Sequence, residues 1–96
     1  MKVKVEYLGH IKEMLGSNRF EEVEMRDEST VAGLLSILSE KYGDMFKKAI
    51  YDSKEKSLKA DYLVIVNGYL LNQRRGIETK LKNGDRITLL PTVNGG

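Results

Sequence analysis

The sequence has 96 residues, of which 41% are hydrophobic and 31% charged, with a formal net charge of +2 and no cysteine. A chain of this length buries about two-thirds of its unfolded surface, so it forms one small domain with little room for an enclosed active-site cleft. The lack of cysteine excludes disulfides, thiolate metal sites and a cysteine nucleophile, and the nearly balanced charge gives little support to a nucleic-acid-binding surface.

The N-terminal segment predicts a strand. Residues 2–8 alternate polar and apolar side chains, which is the period of a half-buried strand and is unlike a signal peptide. No segment approaches the ~20 consecutive apolar residues that a membrane-spanning helix needs. We therefore expect a cytoplasmic protein with neither a membrane nor a nucleic acid as partner.

A short helical turn follows this strand. Residues 11–15 place apolar side chains at helical spacing, and Gly16 stands at the C-cap position. His10, the only histidine, precedes the turn. Because a metal site needs several converging ligands, we expect His10 to be a surface residue and predict no metal site.

Residues 19–25 predict a second strand with an irregularity. Phe20 and Val23 break strict alternation if both face the core, so the pattern predicts a bulge or a change of register. The acidic residues between and beyond them are expected on a solvated face: Glu21, Glu22 and Glu24.

The main helix is predicted to begin near Thr30. Residues 27–30 offer side-chain oxygens that accept from the unpaired backbone N–H groups of a first helical turn. Gly33 costs about 1 kcal/mol relative to alanine inside a helix, which suggests a close approach of helix and sheet. Gly43 is expected to end the helix. The predicted core stripe comprises Val31, Leu34, Leu35, Leu38 and Tyr42.

The second half of the chain predicts more strands. A short helix with Phe46 and Ile50 is followed by a polar surface loop at 52–60, and then by strands at 62–66, 69–71 and 86–90, with Pro91 at the end of the last. The order of elements predicts an α+β domain. It has a mixed sheet of four or five strands, one main helix on one face, and short helical insertions.

Strand alternation predicts an apolar surface on the open face of the sheet. If Val64 and Val66 face the helix, Leu63 and Ile65 point outward. A large exposed apolar patch of this kind indicates a protein partner. A covering loop at 52–60, or a register shifted by one residue, would remove it. The predicted partner interface comprises Leu63, Ile65, Thr88, Leu90, Pro91 and Val93.

The last residues form a predicted C-terminal tail. We divide the chain into a domain at 1–91 and a flexible tail at 92–96. Gly95 and Gly96 lack Cβ, so this tip can thread a narrow channel. An ionised terminal carboxylate is a plausible nucleophile toward the α-phosphate of ATP. Taken alone, the tail is also compatible with an ordinary frayed terminus.

The motifs of the chain resemble those of a known family. The end of the chain is similar to the end of the molybdopterin-synthase small subunit and its archaeal small-modifier relatives. The residues that carry this similarity are Gly84-Asp85, Ile87, Leu89, Pro91, Val93 and Gly95-Gly96. The resemblance to this family extends to segments 5–8, 11–16 and 30–35 and to the turn Val66-Asn67-Gly68. Thr92 stands where the family often has a second proline.

The resemblance implies a ubiquitin-like β-grasp fold and a sulfur carrier without a catalytic centre of its own. In this family an E1-like adenylyltransferase uses ATP and magnesium, neither of which the carrier binds, to adenylate the terminal glycine carboxylate. Sulfur then replaces AMP to give a thiocarboxylate, which the large synthase subunit uses to make molybdopterin. The resemblance therefore assigns Gly96 and Gly95 to the reacting tip. It leaves open a protein modifier joined through Gly96 to lysines, or a carrier for tRNA thiolation or another pathway.

Overall fold

The structure, a computed structural model, describes residues 1–71 and 76–92. The strands in these ranges are β1 (Lys2–Tyr7), β2 (Phe20–Glu24), β3 (Tyr51–Asp52), β4 (Ser57–Leu58), β5 (Tyr62–Val66), β6 (Tyr69–Leu70) and β7 (Arg86–Pro91). Within them, five strands form a mixed sheet in the order β2-β1-β7-β5-β6, and β3 and β4 form a separate hairpin. Since β1 and β7 are parallel neighbours and the other pairs are antiparallel, the predicted α+β fold with a mixed sheet is confirmed.

The main helix begins and ends where the sequence predicts. Thr30 is its N-cap, and Thr30 Oγ1 accepts a hydrogen bond of 3.1 Å from the backbone N–H of Gly33. Gly43 ends the helix with a φ of +75°, a value that glycine adopts without strain. The helical segments are α1 (Ile11–Leu15), α2 (Val31–Tyr42), α3 (Asp44–Ala49) and a 3₁₀ turn (Gly76–Glu78).

One face of the sheet packs against α2 and forms the core. The helix contributes a stripe of side chains at i, i+3, i+4 and i+7, all of them 0% exposed. Alternate residues of the central strands meet this stripe, and we call this side of the sheet the inner face. The helix stripe is Val31, Leu34, Leu35 and Leu38, and the inner face includes Val3, Val5, Val64, Ile87 and Leu89.

The prediction of a bulge in β2 is wrong. β1 and β2 pair in unbroken register from Lys2–Glu24 to Glu6–Phe20. Because the alternation is regular, Phe20 points away from the core and Glu21 points toward it. The prediction that Glu21 is a solvated residue is therefore also wrong, since its side chain is only 14% exposed.

The explanation offered for Gly33 is wrong as well. If a Cβ were added there, its nearest neighbours in the described chain would be Met25 Cε and Thr30 Oγ1, both at 3.8 Å, which is ordinary van der Waals contact. Gly33 instead borders an open depression of about 500 Å³ that Ser36 and Lys56 also line. Close packing therefore does not require a glycine at this position.

Part of the predicted loop at 52–60 is a short hairpin. β3 and β4 pair Tyr51 with Leu58, and the backbone N–H of Lys59 donates to the carbonyl of Ile50 at 2.7 Å. Ser39 Oγ on α2 lies 3.4 Å from the carbonyl oxygen of Tyr51. The hairpin therefore packs on the helix side of the sheet and not on the opposite face, which we call the outer face.

Candidate functional site

The outer face carries the predicted apolar side chains. Val64 and Val66 face the helix and are 1% and 8% exposed, whereas Leu63 and Ile65 alternate with them and are half-buried on the outer face. Leu90 is likewise half-buried and pairs with Leu63. The predicted orientation of these strands is therefore confirmed.

Strand register gives the outer face a gradient of polarity. A row across the middle of the sheet runs through Glu6, Thr88, Ile65 and Leu70. Toward the C-terminal end of β7 the outer residues are apolar, and toward its start Lys4 pairs with Arg86. The apolar part of the outer face therefore lies next to the segment that leads to the chain end. It consists of Leu8, Leu63 and Leu90, together with Ile65 and Leu70 of the middle row.

Thr88 lies on the outer face but is only 8% exposed. It sits in the middle strand of the sheet, with Glu6 on one side and Ile65 on the other. Its hydroxyl lies 3.4 Å from Glu6 Oε1 and donates to that carboxylate. Thr88 therefore forms part of the floor of this surface, while the neighbouring apolar side chains form its accessible part.

A paired carboxylate lies on β1 in the middle row of the outer face. Glu6 is 8% exposed, and its Oε2 accepts from Arg19 Nε at 3.0 Å and lies 2.9 Å from Arg19 Nη2. A buried charge is tolerated when it is paired and hydrogen-bonded. Since the Arg19 side chain is 60% exposed, a partner that covers this face would also meet its guanidinium.

Phe20 is a residue of this face that the sequence analysis missed. Its side chain is 41% exposed and stands opposite Glu6. Cationic groups of Lys4, Arg19 and Arg86 lie 5.5, 5.3 and 5.7 Å from the centre of its ring, within the range of a cation–π contact. Regular alternation along β2 predicts that Phe20 faces outward. Placing Phe20 in the core instead led to the incorrect prediction of a bulge.

The end of β7 leads to the predicted reacting tip. Pro91 pairs with Tyr62 on β5, and the backbone N–H of Thr92 donates to the carbonyl of Asp61 at 2.8 Å. The remaining predicted site residues lie outside the described ranges: Val93, Gly95 and Gly96.

Two general properties of the described chain bear on function. Residues 1–71 and 76–92 contain no group of three or more His, Asp or Glu side chains that could hold a metal ion. None of the helices in this part of the chain is both long enough and apolar enough to cross a membrane.

The sequence and the fold match known sulfur carriers and small modifiers. The sequence model of the ThiS family matches residues 5–96. A protein of Archaeoglobus fulgidus, provisionally named a sulfur carrier protein, is 30% identical over 70 residues, which are 73% of this chain and 77% of that protein.

Solved structures agree with this assignment. The small archaeal modifier protein 1 (SAMP1) of Methanosarcina acetivorans is 28% identical with a TM-score of 0.77, and the match covers 99% of this chain and 95% of that one. A Pyrococcus furiosus protein, provisionally named molybdopterin converting factor subunit 1, is 25% identical with a TM-score of 0.77, over 97% and 99% of the two chains. The chain therefore belongs to the ThiS family and is a β-grasp protein of the ubiquitin-like sulfur carrier and small modifier group.

Proposed function

We propose that Gly96 is the point at which this chain is activated and loaded with sulfur. An E1-like adenylyltransferase binds ATP and magnesium, and the Gly96 carboxylate attacks the α-phosphate and displaces pyrophosphate. Hydrosulfide supplied by a sulfur donor then attacks the acyl carbonyl of the adenylate, AMP leaves, and the product is a thiocarboxylate. The observation that carries the proposal is the position of β7, which ends at Pro91 beside the apolar outer face, five residues before Gly96 in the sequence.

The proposed partners dock on the outer face. Leu63, Ile65 and Leu90 are half-buried apolar residues beside the end of β7, and an apolar patch with polar residues around it is typical of a protein interface. Pro91, the last residue of β7, extends this surface toward the chain end, and Val93 is a further proposed contact residue on the way to the reacting tip. The partners are proteins rather than a nucleic acid or a membrane, and the reaction takes place in the cytoplasm.

The proposed sulfur acceptor is a cyclic pterin precursor on the large subunit of a molybdopterin synthase. The similarity to the P. furiosus converting-factor protein supports this choice. The tail would enter the active site of the large subunit, which supplies the catalytic groups, and the present chain would supply the sulfur.

A second candidate is a protein modifier whose Gly96 forms an isopeptide with lysines. The similarity to SAMP1 favours it. A carrier for tRNA thiolation or another pathway shares the same first steps. Because all of these functions begin with adenylation of Gly96, detection of lysine conjugates in cells separates the modifier from the carriers.

Mass spectrometry tests the proposal directly. The chain is incubated with an E1-like enzyme from the same organism, ATP, magnesium and a sulfur donor. We expect the intact mass to increase by the replacement of one oxygen by sulfur, with the change located in the C-terminal peptide. Deletion of Gly96 should abolish the change while circular dichroism stays the same, and Gly95→Val should reduce it because a β-branched side chain widens and stiffens the tip. Modification of the deletion variant, or sulfur at another position, would refute the proposal.

A further inference from the structure

The C-terminal end of β7 is held from both sides by residues of its two neighbouring strands. We call these residues the collar. It consists of Gly9 and His10, which follow β1, together with Asp61 and Tyr62 at the start of β5. The collar lies on both sides of Pro91. In the sequence, Pro91 is followed by Thr92 and then by the last four residues, 93–96.

On the β1 side, the contact requires a glycine. The backbone N–H of Leu8 donates to the carbonyl of Leu89 at 3.0 Å, which extends the parallel pairing beyond β1. Gly9 then turns with a φ of +61°, and a Cβ added to it would lie 2.9 Å from Pro91 Cγ. Both the left-handed backbone and the contact with the proline ring disfavour any larger residue.

On the β5 side, the backbone fixes Thr92. Tyr62 pairs with Pro91, and the N–H of Thr92 donates to the carbonyl of Asp61 at 2.8 Å. Antiparallel pairing therefore continues one residue beyond the end of β7.

A side-chain hydrogen bond joins the two sides. His10 Nε2 and the Tyr62 hydroxyl lie 2.9 Å apart, and the two rings meet edge to face with centroids 5.8 Å apart. Because β7 lies between β1 and β5, this bond connects the two neighbours of β7 at the level of Pro91. Tyr62 is only 6% exposed, so its ring is held in place by packing.

We propose that the collar positions the reacting tip, with His10 and Tyr62 as positioning residues. Four residues follow Thr92, and a segment of that length spans at most about 14 Å when fully extended. With Thr92 fixed, this length sets the greatest distance between Thr92 and the site in the partner at which Gly96 reacts. A fixed starting point and a short span limit the volume that the Gly96 carboxylate samples, which raises its effective concentration beside ATP. This inference rests on the proposed activation of Gly96.

Steady-state kinetics separate positioning from docking. The E1-like enzyme is assayed by ATP–pyrophosphate exchange with Tyr62→Phe and His10→Ala. Each substitution removes the bond across β7, whereas the outer-face residues remain. We expect kcat to fall about 10-fold, because small misplacement of a reacting group is costly, with KM changed less than about 2-fold. His10→Gln should restore much of kcat, since the amide can again bond to the hydroxyl.

Tyr69→Phe is the matched control. Tyr69 lies on β6 with its side chain 76% exposed, far along the sheet from Pro91, and the substitution removes the same hydroxyl group. It should leave both kinetic constants at their wild-type values. Unfolding in urea identifies any variant whose activity falls only because the domain is less stable.

Amide hydrogen exchange tests the collar without a partner. The N–H of Thr92 should exchange slowly in the wild-type chain and at least about 10-fold faster in Tyr62→Phe and His10→Ala, because opening of the strand end limits exchange there. The N–H of Ile87, in the middle of the sheet, should exchange at the same rate in all three proteins.

Each outcome has a distinct meaning. Lower kcat together with faster Thr92 exchange supports the collar as a positioning device. An unchanged kcat, or a rise in KM alone, overturns it. A wild-type chain that is not adenylated by any E1-like enzyme of the organism overturns the proposed function instead. In that case, the exchange rates of the Thr92 N–H test by themselves whether the collar restrains the end of β7.

Discussion

The hydroxyl of Tyr7 donates a hydrogen bond of 2.7 Å to Oε1 of Glu21, a carboxylate on the inner face of the edge strand. Tyr42 donates to the same oxygen at 2.7 Å, and Lys41 pairs with Oε2. Burial raises the pKa of Tyr7, and the adjacent Glu21 carboxylate raises it further, so the hydroxyl stays protonated as a donor. One side chain thereby links β1, β2 and the C-terminal end of α2.

Loss of this carboxylate should destabilise the domain. Glu21→Ala leaves the Tyr7 hydroxyl without its acceptor, and an unsatisfied buried polar group costs about 1–3 kcal/mol. We expect a decrease of this size in the free energy of unfolding, measured in urea. Glu22→Ala, at the exposed neighbouring position, should change stability by less than about 0.5 kcal/mol. Equal effects of the two substitutions would contradict the linking role of Glu21.

Stability should also depend on the charge of Glu21. Burial alone raises the pKa of this carboxyl, but the hydrogen bonds from Lys41, Tyr7 and Tyr42 outweigh it and hold the pKa below the ordinary value of 4.5. A group with a lowered pKa favours the folded state above its unfolded pKa. That contribution is lost as the pH falls through the folded pKa, because the unfolded chain binds the proton first.

We therefore expect the free energy of unfolding to decrease as the pH is lowered below about 4.5, and Glu21→Gln to make this decrease shallower. Urea unfolding at a series of pH values on both sides of this point provides the measurement. Identical pH profiles for wild type and Glu21→Gln would show that other carboxyl groups account for the acid sensitivity.

Gly33 should be replaceable with a gain in stability. An added Cβ meets nothing closer than 3.8 Å in the described chain, and the residue lies inside α2. Gly33→Ala should therefore raise the free energy of unfolding by about 0.5–1 kcal/mol through the lower entropy of the unfolded chain.

Gly16→Ala is the matched control for Gly33→Ala. An added Cβ at Gly16 also finds open space among the described residues, but the φ there is +64°. The substitution should lower stability by about 1–2 kcal/mol because of the left-handed backbone. If both substitutions stabilised the protein, the left-handed backbone at Gly16 would not penalise alanine as expected.

A charge on the outer face should weaken partner binding. Ile65→Glu and Leu90→Glu place a carboxylate at the centre of the proposed interface, where charged residues are disfavoured. We expect at least about 10-fold weaker binding to the E1-like enzyme and to a large synthase subunit, corresponding to about 1.4 kcal/mol, while circular dichroism is unchanged. Ile37→Glu introduces the same charge at an apolar residue of α2 that is 40% exposed and should leave binding intact. Unchanged affinity of the outer-face variants would remove this surface from the proposal.

The packing of α2 predicts a large effect of core truncation. Leu35 is 0% exposed against the inner face, so Leu35→Ala should reduce the free energy of unfolding by about 2–5 kcal/mol. Chemical denaturation followed by circular dichroism measures this loss. A loss below about half a kcal/mol would be inconsistent with the buried position of Leu35.

The sequence by itself determined the main helix, one central strand and several turns of the chain. The stripe beginning at Val31 has the helical period, and the alternation along 62–66 has the strand period, so both elements and their buried sides were predictable. Gly16 and Asn67-Gly68 specify their turns through positive φ angles, which local sequence alone can indicate. The Gly95-Gly96 motif likewise pointed to the family without any knowledge of packing.

Only the tertiary structure decided which polar residues acquire partners. Alternation assigns each residue of β2 to one of two faces, but Glu21 is stable on the inner face only because Tyr7 and Tyr42 donate to it from other elements. His10 and Tyr62 are 52 residues apart in the chain and meet only because β7 inserts between β1 and β5. Such contacts depend on strand order and register, which are set by the packing of the whole domain. Local periodicity assigns residues to the two faces of a strand, but it does not give the strand order or the pairing partners.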